Sequence, residues 1–119
     1  AALDNRIRCA IISGYMYGYK ESLLNMPNCY CNYVPHLYKY VDMGDVGALI
    51  APRPLLVETG SKDELNGASG MKNVRSQMDI MRRAYSVLGA KTMLQHDVFE
   101  GEHRWNGVKA IPWMQRFVA

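Results

Sequence analysis

The feature that most constrains the fold of this chain is a set of short apolar runs, each of which stops at a glycine or a polar loop. "RCAIISGY" at residues 8–15 and "LLVETG" at 55–60 have the length of single strands, and a third run covers 92–99. Continuous apolar runs of this length are typical of strands buried on both faces, as in parallel sheets covered by helices. The sequence therefore predicts three buried strands.

One segment with helical periodicity lies between the second and third apolar runs, and another follows the third run. Within residues 71–88 the apolar side chains recur every three or four positions, and Gly89 comes directly after this segment. This spacing predicts one amphipathic helix that ends at the glycine. Residues 108–118, which include Trp113 and Phe117, predict a second amphipathic helix. Strands that alternate with helices predict an α/β fold with parallel strands and right-handed crossovers.

The rest of the chain predicts little regular structure. Residues 16–43 are rich in Tyr, Asn and Pro and have no clean period, so we expect a long excursion with at most short helices near 34–40. "DVGALIAPRP" predicts one or two helical turns that prolines end. "AALD" at residues 1–4 contains helix formers and suggests the end of a helix.

Composition narrows the class of protein. Of 119 residues, 49% are apolar and 21% are charged, with a net charge of +3, which indicates a water-soluble globular domain or part-domain spanning 1–119. The basic residues are scattered, so nucleic acid is not expected as a partner. Apolar runs are too short for a membrane span, and the first residues do not resemble a signal peptide.

The cysteines predict neither a metal site nor a disulfide scaffold. Cys29 and Cys31 form a single CxC pair without the second pair that a zinc site needs, and only three cysteines are present. We therefore expect three reduced, packed thiols, no metal, no cofactor and a cytoplasmic location.

Two polar loops leave the carboxyl ends of the second and third predicted strands. "TGSKDELNG" supplies Asp63, and "EGEHRWNG" supplies His103. Ligands of open α/β sheets bind beyond these strand ends, so a carboxylate and an imidazole could meet there. A carboxylate that accepts the ring Nδ1 proton leaves Nε2 free to act as a general base.

These motifs resemble a known family. "DMGDVGALIAPRPLLVETGSKD", followed by a helix and "DVFEGEHRWNG", resembles the C-terminal half of α/β-hydrolase esterases, particularly the acetyl xylan esterase-like group. The resemblance implies the C-terminal part of a three-layer sandwich, with Asp63 as the acid and His103 as the general base of a Ser-Asp-His triad. It also places "AALD" at the end of the helix after the nucleophile. Glu64 remains an alternative acid, since either carboxylate serves in this fold.

The sequence departs from the family in one respect that matters for activity. No GxSxG motif is present, and none of the six serines has the flanking glycines of a nucleophile elbow. We therefore expect the nucleophile and the oxyanion-hole donors to lie upstream of Ala1, and the chain alone to be inactive. For the complete protein, the resemblance implies hydrolysis of a small acyl ester or an acetylated carbohydrate.

A second hypothesis is a noncatalytic α/β module for binding or assembly. If the first strand lacks an upstream neighbour, its open apolar edge favours self-association or pairing with the missing N-terminal half. His36 is expected to pack on tyrosines and His96 to be structural. The tyrosines at 15, 17, 19, 30 and 33 could line an acyl or sugar pocket, but packing is the simpler interpretation.

Overall fold

The computed structural model describes residues 1–118, and its centre is one sheet of three parallel strands. Strand β1 covers Ala10–Ser13, β2 covers Leu55–Gly60 and β3 covers Leu94–Phe99, in the spatial order β1-β2-β3. The sequence prediction is confirmed for all three strands. All six residues of the central strand β2 are buried, as its continuous apolar sequence requires.

Helices cover both faces of this sheet. Helix α1 comprises Met43–Ala48, α2 comprises Met71–Val87 and α3 comprises Ala110–Val118. The larger apolar cluster joins α1 and α2 to one face of the sheet through side chains that include Leu55 and Val57. Because side chains alternate along a strand, Leu56 points to the opposite face, where it packs with Ala110 and Trp113 of α3. The result is the predicted order of helix, sheet and helix.

The long helix α2 ends where the sequence predicts. Its buried side chains, among them Val74, Met78, Met81 and Tyr85, form one face, as the three- and four-residue spacing indicates. Gly89 has a φ of +67°, a conformation that glycine adopts without steric cost and that commonly follows a helix. Helix α2 therefore lies along the sheet with its apolar face inward.

The first nine residues do not contain the helix end that "AALD" suggests. Residues 1–9 form turns, and the Arg53 guanidinium donates hydrogen bonds to the carbonyl oxygens of Ala1, Asp4 and Ile7. The Ala1 and Asp4 carbonyls also accept hydrogen bonds from the N–H groups three residues later, which makes isolated turns rather than a helix. The helical expectation for this segment is wrong in the described structure.

The excursion between β1 and α1 contains only short 3-10 turns, at Tyr30–Asn32 and Leu37–Lys39. The prediction of three packed thiols is wrong for Cys29 and Cys31, which are exposed beside or within the first of these turns. Cys9 is partly buried beside Trp113, and burial raises the pKa of its thiol. Among the described helices, none has the length and apolar character needed to cross a lipid bilayer.

Candidate active site

Asp63 lies three residues beyond the carboxyl end of β2, and local backbone geometry fixes its side chain. It precedes the 3-10 turn Glu64–Asn66, and its Oδ1 accepts a hydrogen bond of 2.9 Å from the Leu65 backbone N–H. The side chain of Asp63 is only 1% exposed. A buried carboxylate needs hydrogen-bond partners, and this turn supplies one of them.

His103 supplies the second partner of Asp63. Nδ1 of the imidazole lies 2.8 Å from Oδ2 of Asp63, although 40 residues separate the two in sequence. Because an ionised carboxylate can only accept, this contact assigns the ring proton to Nδ1 and leaves the Nε2 lone pair available. The ring is 55% exposed, and Nε2 has no hydrogen-bond partner among residues 1–118.

Glu64, the alternative acid, lies apart from this contact. Glu64 is exposed in the 3-10 turn, whereas Asp63 is buried. The structure therefore brings together Asp63 and His103 of the candidates from sequence, and it leaves Glu64 outside their hydrogen bond.

Close backbone approach holds the two loops together. The Ser61 N–H donates to the Phe99 carbonyl and the Lys62 N–H donates to the Gly101 carbonyl, each over 2.9 Å. A Cβ on Gly60 would collide with the carbonyl oxygens of Gly101 and Glu102. Glycine at position 60 therefore allows the third-strand loop to lie directly on the end of β2.

Gly14 lies against the imidazole at the end of β1. A Cβ at this position would be 2.9 Å from both Nδ1 and Cε1 of His103, and the φ of Gly14 is +59°. Both the backbone conformation and the space therefore favour glycine. Sequence reasoning did not identify this contact, because it joins residues 89 positions apart.

Sequence reasoning also missed a buried acidic residue behind the loop of His103. Glu58 is fully buried in β2, and its carboxylate accepts hydrogen bonds from Ser13, Asn106 and Gly107. The available signal was a single charged residue inside the apolar run "LLVETG". Buried acidic side chains are rare without partners, so this pattern indicates a polar contact within the sheet layer.

The other histidines lie outside the pair. His96 is on β3, where its Nε2 lies 3.0 Å from Oγ1 of Thr59, and burial lowers its pKa to about 4. His36 is exposed in the excursion with a φ of +64°. His96 therefore has the structural contact that its position in a strand predicts, whereas His36 is exposed and lines a surface groove together with Tyr33 and Tyr38.

The tyrosines divide between the core and the surface. Tyr17 and Tyr19 are buried in the main apolar cluster, as the packing interpretation predicts, whereas Tyr30 is 93% exposed. Burial raises the pKa of Tyr17 to about 12. Tyr15 and Tyr33 are partly exposed, at 37% and 39%. Tyr15 donates a hydrogen bond to the side chain of Asn32.

A cleft of about 430 Å³ adjoins the acid and the imidazole. The rest of its lining combines the apolar side chains of Met26 and Leu65 with the charged residues Lys62, Glu64 and Glu102. Met26 comes from the excursion, which therefore contributes to this cleft. A larger groove of about 580 Å³ near the end of α2 contains basic side chains but no paired acid and imidazole. Chemistry rather than size identifies the candidate site.

The described residues do not gather a metal site. Among residues 1–118, no three His, Cys, Asp or Glu side chains are placed to hold a metal ion.

Comparison with solved structures shows the fold of the chain. A protein from Bacteroides fragilis NCTC 9343 assigned as an acetyl xylan esterase is similar over 96% of this chain, with a TM-score of 0.70 and 16% identity. A carbohydrate esterase family 15 glucuronoyl esterase from Caldicellulosiruptor kristjansonii is similar over 92%, with a TM-score of 0.65 and 16% identity. The chain therefore has the three parallel strands and flanking helices of part of an α/β-hydrolase fold.

The chain spans little more than a third of these two structures, 37% and 36% of their respective lengths. No protein-family model matches the sequence, and no curated protein matches it.

Proposed function

We propose that this chain is the C-terminal portion of a serine carboxylic-ester hydrolase and supplies the acid and the histidine of its triad. The observation that carries the proposal is the 2.8 Å contact between His103 Nδ1 and Asp63 Oδ2, with Asp63 buried and Nε2 without a hydrogen-bond partner among residues 1–118. The esterase names of the similar structures support the same class of reaction.

The proposed mechanism uses the two ring nitrogens in different ways. Nε2 of His103 removes the proton from a serine hydroxyl as that oxygen attacks an ester carbonyl, and it then protonates the departing alcohol. Asp63 holds Nδ1–H and stabilises the imidazolium between these steps. Water, activated by the same nitrogen, releases the acid and restores the serine.

In this proposal the serine belongs to polypeptide outside this chain. The sequence has no GxSxG, and the hydroxyls of Ser13 and Ser22 donate to Glu58 and to the Leu65 carbonyl rather than to His103. Without a nucleophile, a general base has no hydroxyl to activate, so we expect the isolated chain to be inactive.

The proposed substrate is a small acyl ester, such as an acetyl group on a carbohydrate. The mixed lining of the cleft suits a small apolar acyl group next to polar hydroxyls. The acetyl xylan esterase assignment of one similar structure favours an acetylated carbohydrate.

The decisive experiment measures p-nitrophenyl acetate hydrolysis by the complete protein and its His103→Ala variant. We expect a loss of kcat on the order of 10⁴-fold or more, because the general base is removed. The matched control is His36→Asn, which changes an exposed histidine outside the cleft and keeps a residue type that tolerates positive φ. An unchanged rate in His103→Ala would remove His103 from the mechanism.

The open edge of β1 supports a second proposal about partners. Within residues 1–118, β1 pairs only with β2, and an apolar cavity of about 420 Å³ borders it, lined by side chains such as Ile12, Met16 and Val46. We propose that a strand of the nucleophile-bearing portion occupies this edge, because unpaired strand edges bind further strands.

If a second copy of the chain occupies the edge instead, the noncatalytic assembly module becomes the better description. Light scattering on the isolated chain, with and without the nucleophile-bearing portion, separates these outcomes. We expect self-association that the added portion abolishes. A monodisperse monomer that does not bind the added portion would contradict both the pairing proposal and the assembly-module hypothesis.

A further inference from the structure

Three polar residues lie side by side across the sheet behind the loop of His103. The strand register pairs Ser13 of β1 with Glu58 of β2, and Glu58 with Asp97 of β3. Paired positions share a face, so these side chains are on the face that also carries Leu56 and helix α3. Glu58 and Asp97 are both buried. This row of Ser13, Glu58 and Asp97 is named the polar row below.

The polar row holds the segment that leads from His103 into α3. Oε1 of Glu58 accepts hydrogen bonds from the Ser13 hydroxyl, over 2.7 Å, and from the Asn106 N–H, over 3.0 Å. Oε2 accepts from the Gly107 N–H, also over 3.0 Å. Asp97 pairs with Lys109 Nζ at 2.9 Å. Two consecutive backbone N–H groups therefore donate hydrogen bonds to one buried carboxylate.

Burying the Glu58 carboxylate in the sheet is unfavourable for stability unless its hydrogen bonds compensate for the loss of water. Removing an acidic side chain from water is unfavourable, and an apolar side chain would suit the surrounding strand better. Glu58 offsets this cost by satisfying two loop amides that would otherwise be buried without acceptors. Two of its three hydrogen bonds therefore go to the loop, and one goes to the neighbouring strand β1.

We infer that Glu58 is a positioning residue for His103, which fixes the end of the 100–107 loop so that Nε2 faces the reacting group. The inference rests on the proposed function. The ring is 55% exposed and its one hydrogen bond within residues 1–118 goes to Asp63, so its placement also depends on where the loop backbone is fixed. The Glu58 carboxylate also holds Ser13, directly before the glycine that lies against the ring.

The test compares Glu58→Gln with Glu100→Gln in the complete protein. The first variant keeps the size of the side chain but turns one acceptor oxygen into an amide donor facing a backbone N–H. We expect kcat for p-nitrophenyl acetate to fall roughly 10- to 100-fold with little change in KM, because a small misplacement of a catalytic group has such an effect. Glu100 is an exposed residue of the same loop, and its variant should retain kcat within about twofold.

A readout independent of turnover distinguishes failure of the inference from failure of the proposed function. Imidazole NMR of His103 reports the Nδ1–H tautomer and its hydrogen bond to Asp63. We expect Glu58→Gln to lower the population of this tautomer and to shift the pH profile of kcat, and Glu100→Gln to change neither. Tautomer and kcat both unchanged in Glu58→Gln would overturn the inference. A disturbed tautomer in a protein whose His103→Ala variant retains full activity would refute the proposed function alone.

If Glu58→Gln does not fold, Glu58→Asp provides the same comparison, since it keeps the charge and shortens the reach by one methylene. If neither variant folds, amide exchange in the unmodified protein decides. Exchange at Asn106 and Gly107 as slow as in β2 supports the inference, and exchange as fast as in exposed loops overturns it.

Discussion

The loops of Asp63 and His103 end at the same edge of the sheet but are held in different ways. The acid loop fixes its own carboxylate: the Leu65 N–H of the 3-10 turn Glu64–Asn66 binds Asp63, and Asn66 donates a 2.9 Å hydrogen bond back to the Gly60 carbonyl. Ser22 and Asn73 donate further hydrogen bonds to the backbone carbonyls of this turn. The histidine loop depends on other elements, since the backbone N–H groups of Asn106 and Gly107 donate hydrogen bonds to the Glu58 carboxylate of β2.

This difference separates two ways of building one site. A buried acid needs only a local turn to fix it, because one or two backbone amides satisfy it. The two connections, 61–70 and 100–109, have the same length, but the one that carries the half-exposed imidazole has no 3-10 turn of its own, so distant groups must hold it. We therefore expect substitutions of the distant groups that hold the histidine loop to change activity, and substitutions of acid-loop residues other than Asp63 to change mainly stability.

The largest effect expected from this comparison is that of Gly14→Ala. The new Cβ would lie 2.9 Å from the His103 ring at a backbone φ of +59°, so the ring must shift from its place beside Gly14. We expect kcat of the complete protein to fall on the order of 100-fold. Esterase kinetics and imidazole NMR measure the change. The control is Gly70→Ala, which also has positive φ but meets no atom within 4 Å. Equal losses in both variants would assign the effect to backbone strain rather than to the ring.

A smaller effect is expected from a matched pair of asparagines. Asn66→Ala removes the 2.9 Å bond to the Gly60 carbonyl, which keeps only the 3.2 Å bond from the Asp63 N–H, and should lower the free energy of unfolding by about 0.5–1.5 kcal/mol. Asn106→Ala removes only a 3.4 Å contact with Asp97 and keeps the backbone N–H, so we expect less than about 0.5 kcal/mol. Urea unfolding of the complete protein measures both. A larger loss for Asn106→Ala would show that side chains, not amides, hold the histidine loop.

The sequence predicted the regular elements well where one pattern dominates. The strand β2 begins and ends where its apolar run does, and α2 ends before Gly89 as predicted. The prediction for residues 1–4 was wrong: these residues make isolated turns, and Arg53, about fifty positions away, binds the Ala1 and Asp4 carbonyl groups. Helix propensity describes only the local sequence and does not include such distant contacts.

The chemistry of the site was only partly visible in the sequence. Asp63 and His103 stood out because each follows a predicted strand, and strand ends are where ligands bind in this class of fold. The thiols of Cys29 and Cys31 were expected to be packed, yet the segment that carries them is on the surface. Burial of a side chain in an irregular segment depends on which other elements pack over it, and such a segment has no sequence periodicity that predicts this packing.

By itself, the sequence determined the alternation of strands and helices, because apolar spacing reports which side chains must leave water. It also determined which two loops carry an acid and a histidine. Only the tertiary structure decided that Asp63 rather than Glu64 contacts the imidazole, that Gly14 lies against the ring and that Glu58 holds the loop. These contacts join residues between 40 and 89 positions apart. They depend on strand register and on the packing of both faces, which arise only when the whole sheet has formed.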